Sequence, residues 1–326
     1  MLLVVGLLLL IPQLRISQDM PAPFLEETYA TLNAANADGT PFAQLMHMLL
    51  NSPQSALWLT ILPLLLSLLT LIVLYALVGS KKGGLSFLTG TVVALTPAFL
   101  AAHLSITVSS LILFLGVLTS YLCWKKSYLS LVSTLLLFAV DPFSGLIVGA
   151  FVVIESVRRK QQVFSYILGV LLVASSVLWL GRYGTLATFP SVSADTIFSF
   201  FGAELGFTLF VLLLGIAGLG IQFYHRRQTY YTWMAILLII VGTLYPPLRL
   251  VAVALLSYYA ALAFLALALH SYTHKELGQY IVLLFVCIFL FSTVTFIKGA
   301  LVAQPTEEQA EIFTWIGSAQ GQGGIF

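Results

Sequence analysis

ALWLTILPLLLSLLTLIVLYALVG, residues Ala56–Gly79, runs 24 positions without one charged side chain. At 1.5 Å per residue a helix of this length rises about 36 Å, more than the roughly 30 Å of a bilayer core. The stretch therefore predicts a membrane-crossing helix, and the rest of the chain reads the same way. Of 326 residues, 60% are hydrophobic and only 8% are charged. Soluble domains carry about 25% charged residues, so a soluble enzyme and a disordered chain are both excluded. The net charge of +2 is too weak for a phosphate-reading surface, which excludes a nucleic-acid binder.

Further apolar runs lie at about Met1–Ile16, Leu85–His103, Ser105–Trp124, Phe164–Gly181, Ala203–Tyr224, Tyr231–Tyr245, Leu248–Ser271 and Gln279–Leu301. Two shorter ones, Leu129–Val140 and Phe143–Val157, are split by Asp141-Pro142. Each would rise only about 18–22 Å, which predicts a shallow helical hairpin entering from one side, with Asp141 near the membrane midplane or beyond it. The fold expected is an all-α polytopic transmembrane bundle of about eleven membrane segments. It occupies residues 1–302 and is followed by a short extracytoplasmic tail, 303–326. No basic region precedes the first run and no small-residue cleavage site follows it, so it reads as a retained helix.

Charge sets the expected orientation. Lys81, Lys82, Lys125, Lys126, Arg158, Arg159, Lys160, Arg226, Arg227 and Lys275 fall in alternate loops, against Arg15, Arg182, Arg249 and Lys298 on the other side. The positive-inside rule places the larger group in the cytoplasm. Asp19, Glu26, Glu27, Asp38, Asp195, Glu204, Glu307, Glu308 and Glu311 then lie at or near the outer face. Most loops are a few residues long, but the first external loop, Gln13–Gln54, is extended. It predicts two interfacial amphipathic helices, Phe24–Ala35 and Pro41–Leu50, the second capped by Thr40.

Six residues are candidates for chemistry. Asp19, just outside the first run, is placed to act as a general base or to hold a divalent cation, Mg²⁺ or Mn²⁺; a solvated loop acid accounts for it equally. Glu26 and Glu27 stand in the first turn of a helix, where dipole compensation also explains them. His103 lies in a tight external turn, as a proton carrier, a ligand or simply an amphipathic side chain. Arg249 follows Tyr245-Pro246-Pro247-Leu248 at the mouth of a long apolar helix, where a planar guanidinium suits a lipid phosphate. A snorkelling anchor is the alternative. Asp141 is an intramembrane acid, but Asp before Pro142 also reads as a helix cap. The clusters Lys81-Lys82 and Arg158-Arg159-Lys160 read as topology anchors.

Taken in order, these features resemble a known family. A short first span ends at Arg15, and a loop with an early acid follows. SPQSALWLTILP opens the next span at Ser52, and ALTPAFLAAH runs to His103. The hairpin and then Pro247-Leu248-Arg249 come later, and PTEEQAEIFTWI follows Pro305 as the junction to an extracytoplasmic domain. The chain resembles the GT-C superfamily of integral membrane glycosyltransferases, nearest to prokaryotic, archaeal-type relatives of the oligosaccharyltransferase catalytic subunit. The resemblance implies a sugar donor on a polyprenyl (dolichyl-type) phosphate, used at the extracytoplasmic face of the cell membrane, with the acceptor left open. It implies that Asp19 takes the place of the first-loop carboxylate and that Arg249 takes the place of the phosphate-contacting arginine. His103 would be an active-site polar residue. Asp19 follows Gln18 and is not part of an Asp-x-Asp pair, and the Trp-Trp-Asp acceptor signature is not among these residues.

Two other classes compete. A transporter or flippase would place ionisable groups at the midplane, whereas the polar weight here falls at the outer surface. A non-catalytic membrane scaffold would need no acidic pair at all.

Overall fold

The computed structural model describes residues 55–79, 83–103, 107–184, 209–224 and 229–268, with parts of 278–294. Every regular element among them is helical. In chain order they are α1 (Ser55–Val78), α2 (Gly83–Ala94), α3 (Pro97–Ala102), α4 (Val108–Trp124), α5 (Leu129–Val140), α6 (Pro142–Arg158), α7 (Gln162–Tyr183), α8 (Leu209–Tyr224) and α9 (Thr229–Leu244). A 3-10 turn, Pro246–Leu248, then leads into α10 (Arg249–Ala268). The first external loop and the tail, 303–326, lie outside the described residues.

Among the described residues three segments are long and apolar enough to cross a membrane: Ile61–Val78 in α1, Gln162–Arg182 in α7 and Pro246–Ala268 at α10. The chain is a helical membrane protein. α10 is the central helix, with 56% of its apolar window buried against 22% for α7. The outward stripe of α7, Val163, Tyr166, Val170, Val173 and Val177, is exposed at helical spacing, as a lipid-facing surface requires.

The main core joins α1, α2, α3, α4, α8 and α10 through Leu71, Val93, Phe99, Leu113, Leu214 and Leu256. Buried hydroxyls inside the bundle bond back within their own helices, as Thr70 does to the Leu66 carbonyl at 2.7 Å and Thr134 to that of Ser130 at 2.7 Å. This satisfies the hydroxyl where no water is at hand. α8 lies directly on α10, because a Cβ on Gly218 would stand 1.9 Å from the Tyr259 carbonyl oxygen. Only glycine permits that approach.

One expectation needs correction. The run Leu85–His103 is not one helix. It breaks at Leu95-Thr96, because Pro97 has no N–H to donate and disfavours helical backbone at the residue before it. Pro97 then opens α3, the position where a missing N–H is harmless.

The expected hairpin forms as α5 and α6, and α6 is as long as its neighbour α4. Its base lies against the end of α4, where Arg159 donates to the Trp124 carbonyl at 3.0 Å. Its tip reaches the opposite end of the bundle, where Asp141 meets Tyr245. Asp141 therefore lies at the Tyr245 end of the bundle. Seventeen residues in α6 give about 25 Å, the same as the seventeen of α4, so the two helices run end to end. Gly145 makes the tip tight, since a Cβ there would stand 2.4 Å from the Phe138 Cα.

Candidate functional site

Tyr245, Pro246, Pro247 and Leu248 form the turn from which α10 starts, and two prolines in sequence hold its φ angles near −65°. Leu248 is fully buried in a second apolar cluster with Ile112, Leu115, Leu137 and Val148. The turn is braced from two sides. The Tyr245 phenol donates to Asp141 Oδ1 at 2.7 Å, and its ring meets Phe143 edge-on at 4.8 Å. Ser109, near the start of α4, donates its hydroxyl toward the Pro246 carbonyl at 3.5 Å.

Asp141 serves both of its neighbours at once. Oδ2 accepts the Ser144 N–H at 2.8 Å, which caps α6 with Pro142 at its first position. Oδ1 takes the Tyr245 phenol. The cap expected from Asp-Pro is present, and the second bond could not be read from the sequence.

Arg249 is the first residue of α10, half-buried, with its backbone N–H bonded to the Pro246 carbonyl. Eleven residues further on, at about 100° per residue, the helix returns to within about 20° of the same direction. That residue is Ala260, which lines an apolar cavity of about 160 Å³ with Leu88, Val92, Leu214 and Phe264. Arg249 and the cavity-lining Ala260 thus lie on one face of α10, about 16 Å apart along its axis.

His103 ends α3, and its side chain is buried rather than presented to solvent. Nδ1 pairs with the Phe99 carbonyl at 2.8 Å, and the ring packs on Phe99 with centroids 4.1 Å apart. Nε2 has no hydrogen-bond partner among the described residues. Asp19, Glu26 and Glu27 lie outside the described residues. The structure therefore brings Asp141 to the turn that carries Arg249, through Tyr245, and places His103 in the turn directly after α3, a helix that packs against α4 and α10.

A second polar centre was missed by the sequence reading. Glu155 in α6 is buried, and its Oε1 accepts from Arg159 Nε and from the Tyr231 phenol, the latter at 2.8 Å. Arg158 lies 3.9 Å from Oε2, and its guanidinium stands 4.7 Å over the Tyr231 ring. This group ties α4, α6 and α9 together at the hairpin base. The signal was available in Glu155-Ser-Val-Arg158-Arg159, where acid and base stand three and four residues apart.

No family model, curated protein or solved structure matches the chain. The site stands on its own geometry.

A divalent cation would need several oxygen or nitrogen donors in one place. Among the described residues no group of three or more His, Cys, Asp or Glu side chains forms. Asp141 has each carboxylate oxygen engaged by one donor, Oδ1 by the Tyr245 phenol and Oδ2 by the Ser144 N–H.

Proposed function

We propose that the chain is a membrane glycosyltransferase that takes its sugar from a polyprenyl-phosphate-linked donor. The observation that carries this reading is the shared face of α10, with Arg249 at the helix mouth and an apolar cavity below it. A lipid-linked phosphate has the same two parts, an anionic head and a hydrocarbon tail. The guanidinium would take two phosphate oxygens in its planar fork. The prenyl chain would run down α10 toward Leu88, Val92 and Phe264.

The chemistry follows from charge. Cleaving a glycosyl phosphate leaves negative charge on the departing phosphate, and a cation fixed beside it stabilises that charge as it grows. The Tyr245–Leu248 turn fixes the cation, and Asp141 and Ser109 fix the turn. The acceptor needs a base, and on the GT-C resemblance that role goes to Asp19, with Glu26, Glu27 and His103 as its polar surroundings. No step is assigned to a metal ion.

With the outer face at the Tyr245 end, the Lys125 and Arg158 end faces the cytoplasm, in accord with the positive-inside count. A carrier is the second reading, and Glu155 is its one favourable observation, since acids buried in a bundle often line transport paths. Glu155 is already answered by Arg159 and Tyr231, which explains it as a structural brace.

Transfer of radiolabelled sugar from polyprenyl-linked donor, measured in membranes containing the full chain, tests the reading. Labelled product is expected with wild type and not with Asp19→Asn. Movement of intact donor across the bilayer without any transfer would replace the enzyme by a flippase.

A further inference from the structure

Two helices, α4 and α6, end side by side at the hairpin base, and they end in the same way. In α4 the Lys126 N–H bonds to the Cys123 carbonyl at 3.0 Å and the Ser127 N–H to that of Leu122 at 2.9 Å. In α6 the Lys160 N–H bonds to Val157 at 3.0 Å and the Gln161 N–H to Ser156 at 2.9 Å. Both are Schellman endings, in which the residue after the cap is left-handed and is usually glycine. Here that residue is lysine twice, Lys126 at φ 57° and Lys160 at φ 60°. Glycine would satisfy the backbone better at each position, so backbone geometry does not account for the lysines.

Their surroundings do. Arg159 joins the two endings by donating to the Trp124 carbonyl, and Glu155 neutralises it. Lys125, Lys126, Arg158 and Lys160 are exposed around that joint. Lys125 stands 5.2 Å over the Trp124 ring, and Arg158 lies on Tyr231, so two of the four cations rest on aromatic faces. Directly beyond the lysines the chain presents apolar side chains outward, Tyr128 and Leu129 at the start of α5 and Val163 and Tyr166 on α7. A cluster of exposed cations next to an exposed apolar surface fits an amphiphile with an anionic head.

We propose that the twin helix endings around Lys126 and Lys160 form a binding site for the phosphate headgroup of an anionic phospholipid. The lysines and Arg158 hold the head, and the exposed surface of α5 and α7 takes the acyl chains. The site lies at the other end of the bundle from Arg249 and does not depend on the proposed transferase activity.

The test offers the purified full chain phosphatidylglycerol and phosphatidylcholine together in detergent and counts bound lipids by native mass spectrometry. Wild type is expected to retain phosphatidylglycerol preferentially. The double variant Lys126→Gly, Lys160→Gly is expected to lose about fivefold in affinity for each lysine removed, the usual worth of one basic residue at an anionic surface. It should unfold at a higher temperature than wild type, which shows that the loss is not misfolding. Inorganic phosphate added as competitor should leave phosphatidylglycerol binding unchanged. Equal retention of the two lipids by wild type would overturn the site, and so would an unchanged preference in the double variant. Displacement by inorganic phosphate would overturn the lipid as its occupant. An equal loss in a Lys81→Gln, Lys82→Gln control would show diffuse charge rather than a site.

Discussion

The phenol of Tyr245 donates to Asp141 Oδ1 at 2.7 Å, joining residues 104 positions apart in the chain. One end of this bond is the tip of the α5–α6 hairpin, and the other is the turn that launches α10 and Arg249. Removing the phenol leaves a buried carboxylate oxygen without its donor, a loss of about 1–3 kcal/mol. Tyr245→Phe should lower stability by that amount. Asp141→Asn should cost less, because the single amide oxygen of asparagine still caps α6 while its NH2 can donate to the Tyr245 hydroxyl, which turns to accept. Thermal unfolding in detergent micelles compares them, and equal losses would mean that the negative charge matters more than the bond.

The close approach of α8 to α10 makes a sharper claim. A methyl at Gly218 would overlap the Tyr259 carbonyl, which is backbone and cannot rotate away. Gly218→Ala should therefore separate the helices and cost about 1–3 kcal/mol, the range for overpacking. Gly220 has open space at its Cβ, so Gly220→Ala should be tolerated. The same unfolding measurement distinguishes the two, and equal behaviour would contradict the packing.

Glu155 makes a third case. Glu155→Ala leaves the partly exposed Arg159 guanidinium and the Tyr231 phenol without their shared acceptor, a loss of about 1–3 kcal/mol. Joint replacement of Glu155 by Gln and Arg159 by Met should recover most of the loss, because no charge is then left without its partner. Stability of the single and double variants, taken as a cycle, checks this.

At the twin endings, Lys126→Gly and Lys160→Gly should each raise stability by about 0.5–1 kcal/mol, because glycine adopts positive φ without the Cβ clash. Destabilisation by either change would show that the lysine side chain carries packing that outweighs its backbone strain.

What the sequence disclosed depended on how local the interaction was. The hairpin was legible almost to the residue, because Asp141-Pro142 is both a cap and a break, and α7 was legible from its unbroken apolar run. The kink before Pro97 was not, because a hydropathy window sums over a proline that ends a helix. Arg159 read as a topology anchor, since its bond to Trp124 spans 35 residues and leaves no periodic trace. The Asp141–Tyr245 bond is longer-range still. His103 read as a surface residue from its place in a turn, but the tight packing of α3 buries it.

The central claim is that Arg249 grips a lipid-linked phosphate. Affinity of the purified chain for polyprenyl-phosphate sugar, measured in nanodiscs for wild type, Arg249→Ala and Arg249→Lys, tests it most directly. The alanine variant should bind about 1.5–3 kcal/mol more weakly, the range for a hydrogen bond to a charged group. Lysine should restore only part of the loss, because an ammonium keeps the charge and loses the two-pronged geometry. Equal affinity in all three chains would contradict the claim and leave Arg249 an interfacial anchor.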